Sequence, residues 1–276
     1  MFTLNCKGRL FMLETPAVMG IINCTPDSFY AGSRVTTTGQ LLQQAEAMLA
    51  AGARILDIGG QSTRPGSEKV DAVTEANRVV PFIARVKETF PDAFVSVDTF
   101  YASVARAAVE AGADMVNDIS AGTLDAQMLP TVAALRVPYI AMHMKGTPQT
   151  MQQQAQYNDV VTEVLQWLLQ KIQQCREAGI VDVIVDPGFG FAKTAAHNFR
   201  LLRELKAFSM LGCPVLAGLS RKSTIYKTLG CTADEALNGT TVLNTVALLN
   251  GASLLRVHDV KEAVEAVQLV EAVKNA

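Results

Sequence analysis

AVMGIIN, residues 17–23, is an unbroken apolar run that ends on an amide, and seven later runs repeat the design. They include RILDIG (54–59) with Asp57, FVSVDT (94–99) with Asp98, MVND (115–118) with Asn117 and YIAMHM (139–144) with His143. VIVDP (183–187) with Asp186, VLAGLSRK (215–222) with Lys222, and LLRVHD (254–259) with Arg256 and His258 complete the set. A strand wetted on one face alternates polar and apolar residues; a parallel strand covered on both faces does not. Each run is followed by a segment of helical periodicity. Eight such units predict an α/β protein of the (β/α)8 TIM-barrel class, whose chemistry gathers where the strands end. The polar groups stand at those ends.

Working outward, residues 2–13 alternate loosely around Lys7-Gly8, which predicts a short β-hairpin ahead of the barrel, covering its N-terminal mouth. A long polar loop follows Asn23 to about Gly39. A helix then carries Leu41, Leu42, Ala45, Met48 and Leu49 on one face. A second long loop follows Gly59, holds Arg64-Pro65-Gly66 and leads to a helix near Thr74. Long loops on one face of a compact domain are more often functional than ornamental. Residues 160–172 form a clear helical stripe, and Gly-Ala pairs at 52–53, 112–113 and 251–252 mark helix ends before strands.

The chain has 276 residues, a length that α/β barrels reach as one domain, here 1–276. Hydrophobic residues are 49% and charged ones 18%, which supplies a large core and excludes a disordered chain. A net charge of −2 offers no global attraction to nucleic acid or an acidic membrane. Five cysteines without C-x-x-C spacing indicate neither a disulfide framework nor structural zinc. The first residues lack a signal peptide's apolar core, and no run is long enough to span a bilayer. The expectation is a soluble cytoplasmic protein.

Arg64, Arg221, Lys222, Arg256 and His258 gather at predicted strand ends and loops. Either they pair with rim carboxylates or they receive an anionic small substrate. Gly218 to Ser223 leads into a helix whose first N–H groups suit a carboxylate or phosphate, without P-loop spacing. Asp98, Asn117, Asp186 and Lys222 are expected to project inward from four strand ends. Two carboxylates, an amide and an ammonium are costly to bury unless paired with one another or satisfied by a ligand such as a flat heterocycle. No nucleophilic triad emerges: Cys24 reads as a small buried apolar residue and His197 as a surface or capping residue. His143 and His258 lack metal-site spacing, whereas a Mg2+ held mainly by substrate phosphates is compatible.

Together these segments resemble dihydropteroate synthase across essentially the whole chain. The matching motifs are Gly20-Ile21-Ile22-Asn23 with Thr25-Pro26-Asp27-Ser28-Phe29, and Asp57-Ile58-Gly59-Gly60-Gln61-Ser62-Thr63-Arg64-Pro65-Gly66. They continue through Ser96-Val97-Asp98-Thr99, Asn117-Asp118, Met142-His143-Met144, Gly146-Thr147-Pro148 and Asp186-Pro187-Gly188-Phe189-Gly190-Phe191. Ser220-Arg221-Lys222-Ser223 and Arg256-Val257-His258-Asp259-Val260 close the series. Each motif is short; their order at strand ends makes the signal specific.

The resemblance implies condensation of 6-hydroxymethyl-7,8-dihydropterin pyrophosphate with p-aminobenzoate, giving 7,8-dihydropteroate and pyrophosphate in folate synthesis. It implies that Asp98, Asn117, Met142, Asp186 and Lys222 line the pterin pocket, with Arg256 laid on the ring and facing the phosphates. Asn23, Thr63, Arg64, Arg256 and His258 would hold pyrophosphate, with Mg2+ on Asn23. Thr63, Pro65, Phe191, Lys222 and Ser223 would frame p-aminobenzoate. Asp98, Lys222, Asp27 and Arg64 would carry the catalysis, which proceeds through a cation after pyrophosphate leaves. A homodimer through the last helices and competition by sulfonamides are also implied. A pterin-binding methyltransferase barrel shares the acid-and-amide pocket but needs no pyrophosphate cradle. A silent pterin binder would keep every group without turnover, and a generic phosphate-binding barrel leaves the p-aminobenzoate side unexplained. The chain departs from the family pattern at Ala192-Lys193, in place of Gly-Lys, and at Tyr30 to Arg34 in the first loop.

Overall fold

The computed structural model describes residues 1–24, 38–62, 67 and 69–276. It opens on an antiparallel hairpin, β1 (Phe2–Cys6) and β2 (Arg9–Leu13), turned by Lys7 and Gly8, both at positive φ. The barrel strands are β3 (Ala17–Asn23), β4 (Ile55–Gly59), β5 (Phe94–Asp98), β6 (Met115–Asp118), β7 (Tyr139–Met142), β8 (Val183–Asp186), β9 (Leu216–Ala217) and β10 (Leu254–Val257). They form one parallel sheet in the order β8-β7-β6-β5-β4-β3-β10-β9. A parallel bridge between Val185 and Val215 joins its two ends and closes the barrel. The eight predicted strands are therefore all present.

Around them lie α1 (Thr38–Ala50), α2 (Ala72–Thr89), α3 (Ala102–Glu110), α4 (Met128–Leu135) and α5 (Val160–Ala178). The ring continues with α6 (Ala195–Arg203), α7 (Ser223–Leu229), α8 (Leu237–Leu249) and α9 (Val260–Lys274). Asp71 caps α2 by accepting from Thr74 N–H, and Asp159 caps α5 in the same way through Thr162. Helix α5 outruns its expected end at residue 172, since Cys175 continues the buried stripe and Gly179 at φ 97° supplies the stop. Strand β9 is shorter than the apolar run 215–222 suggests. Past Ala217 the chain turns at Arg221, φ 53°, and enters α7.

Two of the three apolar clusters among the described residues make up most of the core. Outward-facing strand residues such as Val18, Leu56, Val97, Val116 and Val185 pack on the helices. Met19, Ile55, Met115, Ile140, Ile184, Leu216 and Leu254 face inward at the strand starts and pack on Leu4, Cys6, Phe11 and Leu13 of the hairpin. The hairpin thus plugs the N-terminal end with apolar side chains, as expected for a closed barrel floor.

Candidate active site

Strand side chains alternate faces, so each residue two positions beyond an inward plug residue also faces inward. From Ile55 that rule gives Asp57, and from Phe94 it gives Ser96 and then Asp98. From Met115 it gives Asn117, from Ile140 Met142, from Ile184 Asp186, from Leu216 Gly218, and from Leu254 Arg256. The interior passes from apolar floor to polar chamber within two residues on most strands.

Arg256 organises one side of this chamber. Its Nε donates to Asp57 Oδ2 and an Nη donates to Asp98 Oδ2, each at 2.6 Å. Asn117 Nδ2 donates to the same Asp57 oxygen at 3.0 Å. Register places Asp98 beside Asn117 and Gly59 beside Asp98. Burial pushes the Asp98 carboxyl well above the usual carboxylate range, while the Arg256 guanidinium opposes that rise. Asp57 Oδ1 is buried without a partner.

Asp186 and Lys222 form the opposite side. Asp186 Oδ1 accepts from Gly188 N–H at 2.7 Å, and burial raises its pKa against the pull of Lys222. A Cβ added at Gly218 would lie 3.6 Å from Lys222 Nζ and 3.9 Å from Asp186 Oδ2, so glycine keeps this part of the chamber open. Lys222 Nζ donates to the Phe189 carbonyl at 2.5 Å and lies 4.9 Å above the Phe191 ring. Burial lowers the Lys222 ammonium to about 8, with Asp186 opposing. Ser223 begins α7 next to it. Lys222 and Phe191 thus share one wall, and Ser223 follows Lys222 in the chain.

At the mouth, His258 Nδ1 lies 3.0 Å from Ser220 Oγ, which also accepts from His258 N–H. Asn23 ends β3, and a Cβ on neighbouring Gly59 would come within 3.8 Å of its Oδ1 and 3.5 Å of Asp98 Cβ. Glycine leaves the space between amide and carboxylate free. Among the described residues no three His, Cys, Asp or Glu side chains converge on a metal position. Asn23 Oδ1, close to Asp98 across Gly59, could supply one oxygen donor to a hard cation. Asp27, Thr63, Arg64 and Pro65 lie outside the described residues, as do Tyr30 to Arg34.

Two residues fall elsewhere than the strand-end pattern suggests. His143 follows inward-facing Met142 and therefore turns out of the chamber, against Trp167 and Lys193 Nζ. Burial, reinforced by Lys193, depresses the imidazole to about 2, so it is a neutral packing residue. Arg221, one of the five clustered cations, is bound at two points by Asp259 at 2.8 Å and donates to the Asp234 carbonyl. It holds the rim together. His197 completes a capping box with Thr194, and burial lifts the Cys24 thiol to about 12, far from a nucleophile.

Three residues escaped motif reasoning. Asp57 marked a strand end, but only its parity with Ile55 puts it in the chamber. Lys193 is buried and donates to the carbonyls of Gly188 and Phe191, each at 3.0 Å. Glu75 is buried behind Asp98, takes a hydrogen bond from Gln61 Nε2, and is raised by burial to about 7. Nothing local in the sequence marks either of the last two.

The model of the pterin-binding enzyme family matches residues 19–258. A dihydropteroate synthase of Haemophilus influenzae is 42% identical over 275 residues, covering 99% of each chain. A Xanthomonas albilineans dihydropteroate synthase solved with 4-aminobenzoic acid superposes with a TM-score of 0.93 at 42% identity, covering 99% of this chain and 98% of that one. A Yersinia pestis dihydropteroate synthase solved with a sulfonamide drug complex gives a TM-score of 0.94 at 40% identity over 100% of both chains. Matched from the barrel's first strand to His258 at the rim of its last, this chain belongs to the pterin-binding enzyme family, among the dihydropteroate synthases.

Proposed function

We propose that the chain condenses 6-hydroxymethyl-7,8-dihydropterin pyrophosphate with p-aminobenzoate, releasing pyrophosphate and 7,8-dihydropteroate for folate synthesis. The observation that carries this reading is the chamber itself. Asp57, Asp98, Asn117 and Asp186 offer carboxylate and amide groups to a heterocycle with mixed donors and acceptors, beneath a cationic rim. The Lys222 ammonium, the Phe191 ring and the start of α7 suit the carboxylate and ring of p-aminobenzoate. Met142, inward and buried, provides an apolar contact for the pterin.

The pterin pyrophosphate first loses its leaving group: the methylene C–O bond breaks and its electron pair departs with pyrophosphate. Arg256 and His258 neutralise that charge, together with Asn23, Thr63 and Arg64. Asn23 would hold a Mg2+ ion, which would supply further neutralisation of the phosphate oxygens. The cation left on the methylene is stabilised by the Asp98 carboxylate, with Asp27 as a second carboxylate. The aryl amine lone pair then forms the C–N bond, and the amine proton is released. No protein nucleophile is required. Lys222 holds the aromatic acid in line, and the family resemblance assigns Thr63 and Pro65 to the same substrate.

Sulfonamides then compete for the p-aminobenzoate wall, a reading supported by the drug complex of the Yersinia pestis relative. We place the protein in the cytoplasm, consistent with five free cysteines and with no described helix long and apolar enough to cross a membrane. It acts on small molecules, with no nucleic-acid or membrane partner. Homodimerisation through α8 and α9 is supported by their exposed Val242, Leu249, Leu269 and Val273. Sedimentation of the purified protein reads that state directly.

The deciding experiment measures pyrophosphate release from the pterin substrate with Mg2+, with and without p-aminobenzoate, and follows dihydropteroate. Coupled release and product establish the synthase reaction. Tight pterin binding with neither product would reduce the protein to a silent binder.

A further inference from the structure

The barrel closes where β8 meets β9, through the single bridge of Val185 and Val215 and the Val185 N–H bond to the Pro214 carbonyl. Past that bridge one segment leads to Phe191 and the other to Lys222 and Ser223, so the aromatic wall straddles the seam. Backbone pairing is thinnest where two parts of one substrate slot must be held at a fixed separation.

Asn198, on α6 and only 2% exposed, spans this gap with one planar amide. Its Oδ1 accepts from Gly190 N–H at 2.9 Å, immediately before Phe191. Its Nδ2 donates to Thr224 Oγ1 at 2.9 Å, immediately after Ser223, and to the Thr194 carbonyl at 2.9 Å. An acceptor on one side and two donors on the other use the full geometry of an asparagine amide. The Phe191 loop also has an independent internal brace, since Lys193 Nζ binds the Gly188 and Phe191 carbonyls. The loop therefore keeps its own shape, and the amide decides where that shape sits relative to α7.

We propose that Asn198 is a positioning residue that sets the width of the p-aminobenzoate slot by clamping the Phe191 loop to the first turn of the helix carrying Ser223. The inference rests on the reading that Phe191 and Ser223 frame that substrate. Releasing the clamp lets the slot open while the pterin groups Asp98, Asn117 and Asp186 keep their strand positions. The defect therefore falls on one substrate.

The test is two-substrate steady-state kinetics on Asn198→Ala, Thr224→Val and Thr224→Ser, with Phe191→Ala as the probe of the slot itself. Thr224→Val keeps the side-chain shape and removes the oxygen; Thr224→Ser restores it. Asn198→Ala and Thr224→Val should raise KM for p-aminobenzoate about tenfold, with KM for the pterin substrate and kcat changing less than about threefold. Thr224→Ser should return the wild-type value. A merely structural role would raise both KM values together or lower kcat alone, and either result in folded variants overturns the clamp. Should Asn198→Ala fail to fold, the contrast between Thr224→Val and Thr224→Ser decides by the same readout. If Phe191→Ala leaves KM for p-aminobenzoate unchanged, the slot reading itself fails and takes the clamp with it. If Phe191→Ala raises it while the Asn198 and Thr224 variants do not, the clamp alone is wrong.

Discussion

Arg256 Nε and Asp57 Oδ2 lie 2.6 Å apart over the intervening strand β3, although the two residues are 199 positions apart in the chain. The same guanidinium reaches Asp98, so Asp57 fixes the planar cation that faces the reacting centre. Asp57→Asn should lower kcat/KM by about tenfold to a hundredfold by freeing Arg256 to rotate. Its stability cost should be about 2 kcal/mol, less than the ~3–5 for an orphaned buried charge, because Arg256 keeps Asp98. Denaturant unfolding measured beside turnover separates the two effects.

Lys222 contributes as an ammonium, and burial lowers it to about 8. Activity should therefore decline as pH rises through about 8, and on the acid side it should fall as Asp98, raised by burial to about 7, takes up its proton. Lys222→Arg, which stays charged, should lose this alkaline limb, and Lys222→Ala should cost about a hundredfold or more in turnover at any pH while still folding. A pH–rate profile without a limb near 8 in the wild-type enzyme would remove the ammonium from the mechanism.

Glu75 has the reverse linkage. Its pKa is raised to about 7 by burial, so the folded state holds a proton that the unfolded chain releases above the ordinary glutamate value of 4.5. Stability from this group is therefore lost as pH climbs between those values. Glu75→Gln should be near neutral at pH 4.5 and stabilising by on the order of 1–3 kcal/mol at pH 8. Thermal melts at the two pH values test it; an equal shift at both would show that ionisation plays no part.

Ala192 sits at φ 50°, buried, where the family pattern has glycine. A side chain in the left-handed region costs about 1–2 kcal/mol, which offsets the entropic penalty that glycine usually carries. Ala192→Gly should be neutral or stabilising by up to about 1 kcal/mol in urea unfolding, where an ordinary Ala→Gly change destabilises.

Asp98→Asn should keep the shape of its contact with Arg256 while removing the charge that steadies the methylene cation. Turnover should drop about a hundredfold or more with a folded protein, as read by kinetics and circular dichroism. Loss of folding instead would assign Asp98 a structural role.

Most of this architecture could be read from the chain because parallel strands covered on both faces must be apolar throughout. The same property concealed which residues face inward. In YIAMHM the histidine stands out, yet alternation from Ile140 sends Met142 to the chamber and His143 to the helices. Asp57 was visible as a strand-end carboxylate, but its partnership with Arg256 depends on β10, the last strand, pairing beside β3. Apolarity continuing through Gly218-Leu219 masked the early end of β9, where a turn rather than composition ends the pairing. The burial of Lys193 and Glu75 could not be read from the chain, because only tertiary packing distinguishes them from ordinary surface charges. The glycines before strands were legible because their positive φ has a local cause.

The hairpin floor determines the traffic of the enzyme. With Leu4, Cys6, Phe11 and Leu13 filling one end, the barrel is a blind well, and everything that enters leaves by the same mouth. On the proposed function, a pterin seated on Asp98 and Asn117 would lie beneath p-aminobenzoate at the Phe191 wall, so the lower guest would have to arrive first. The joined product, spanning both depths, would have to withdraw before another pterin could descend, and turnover on that reading is sequential.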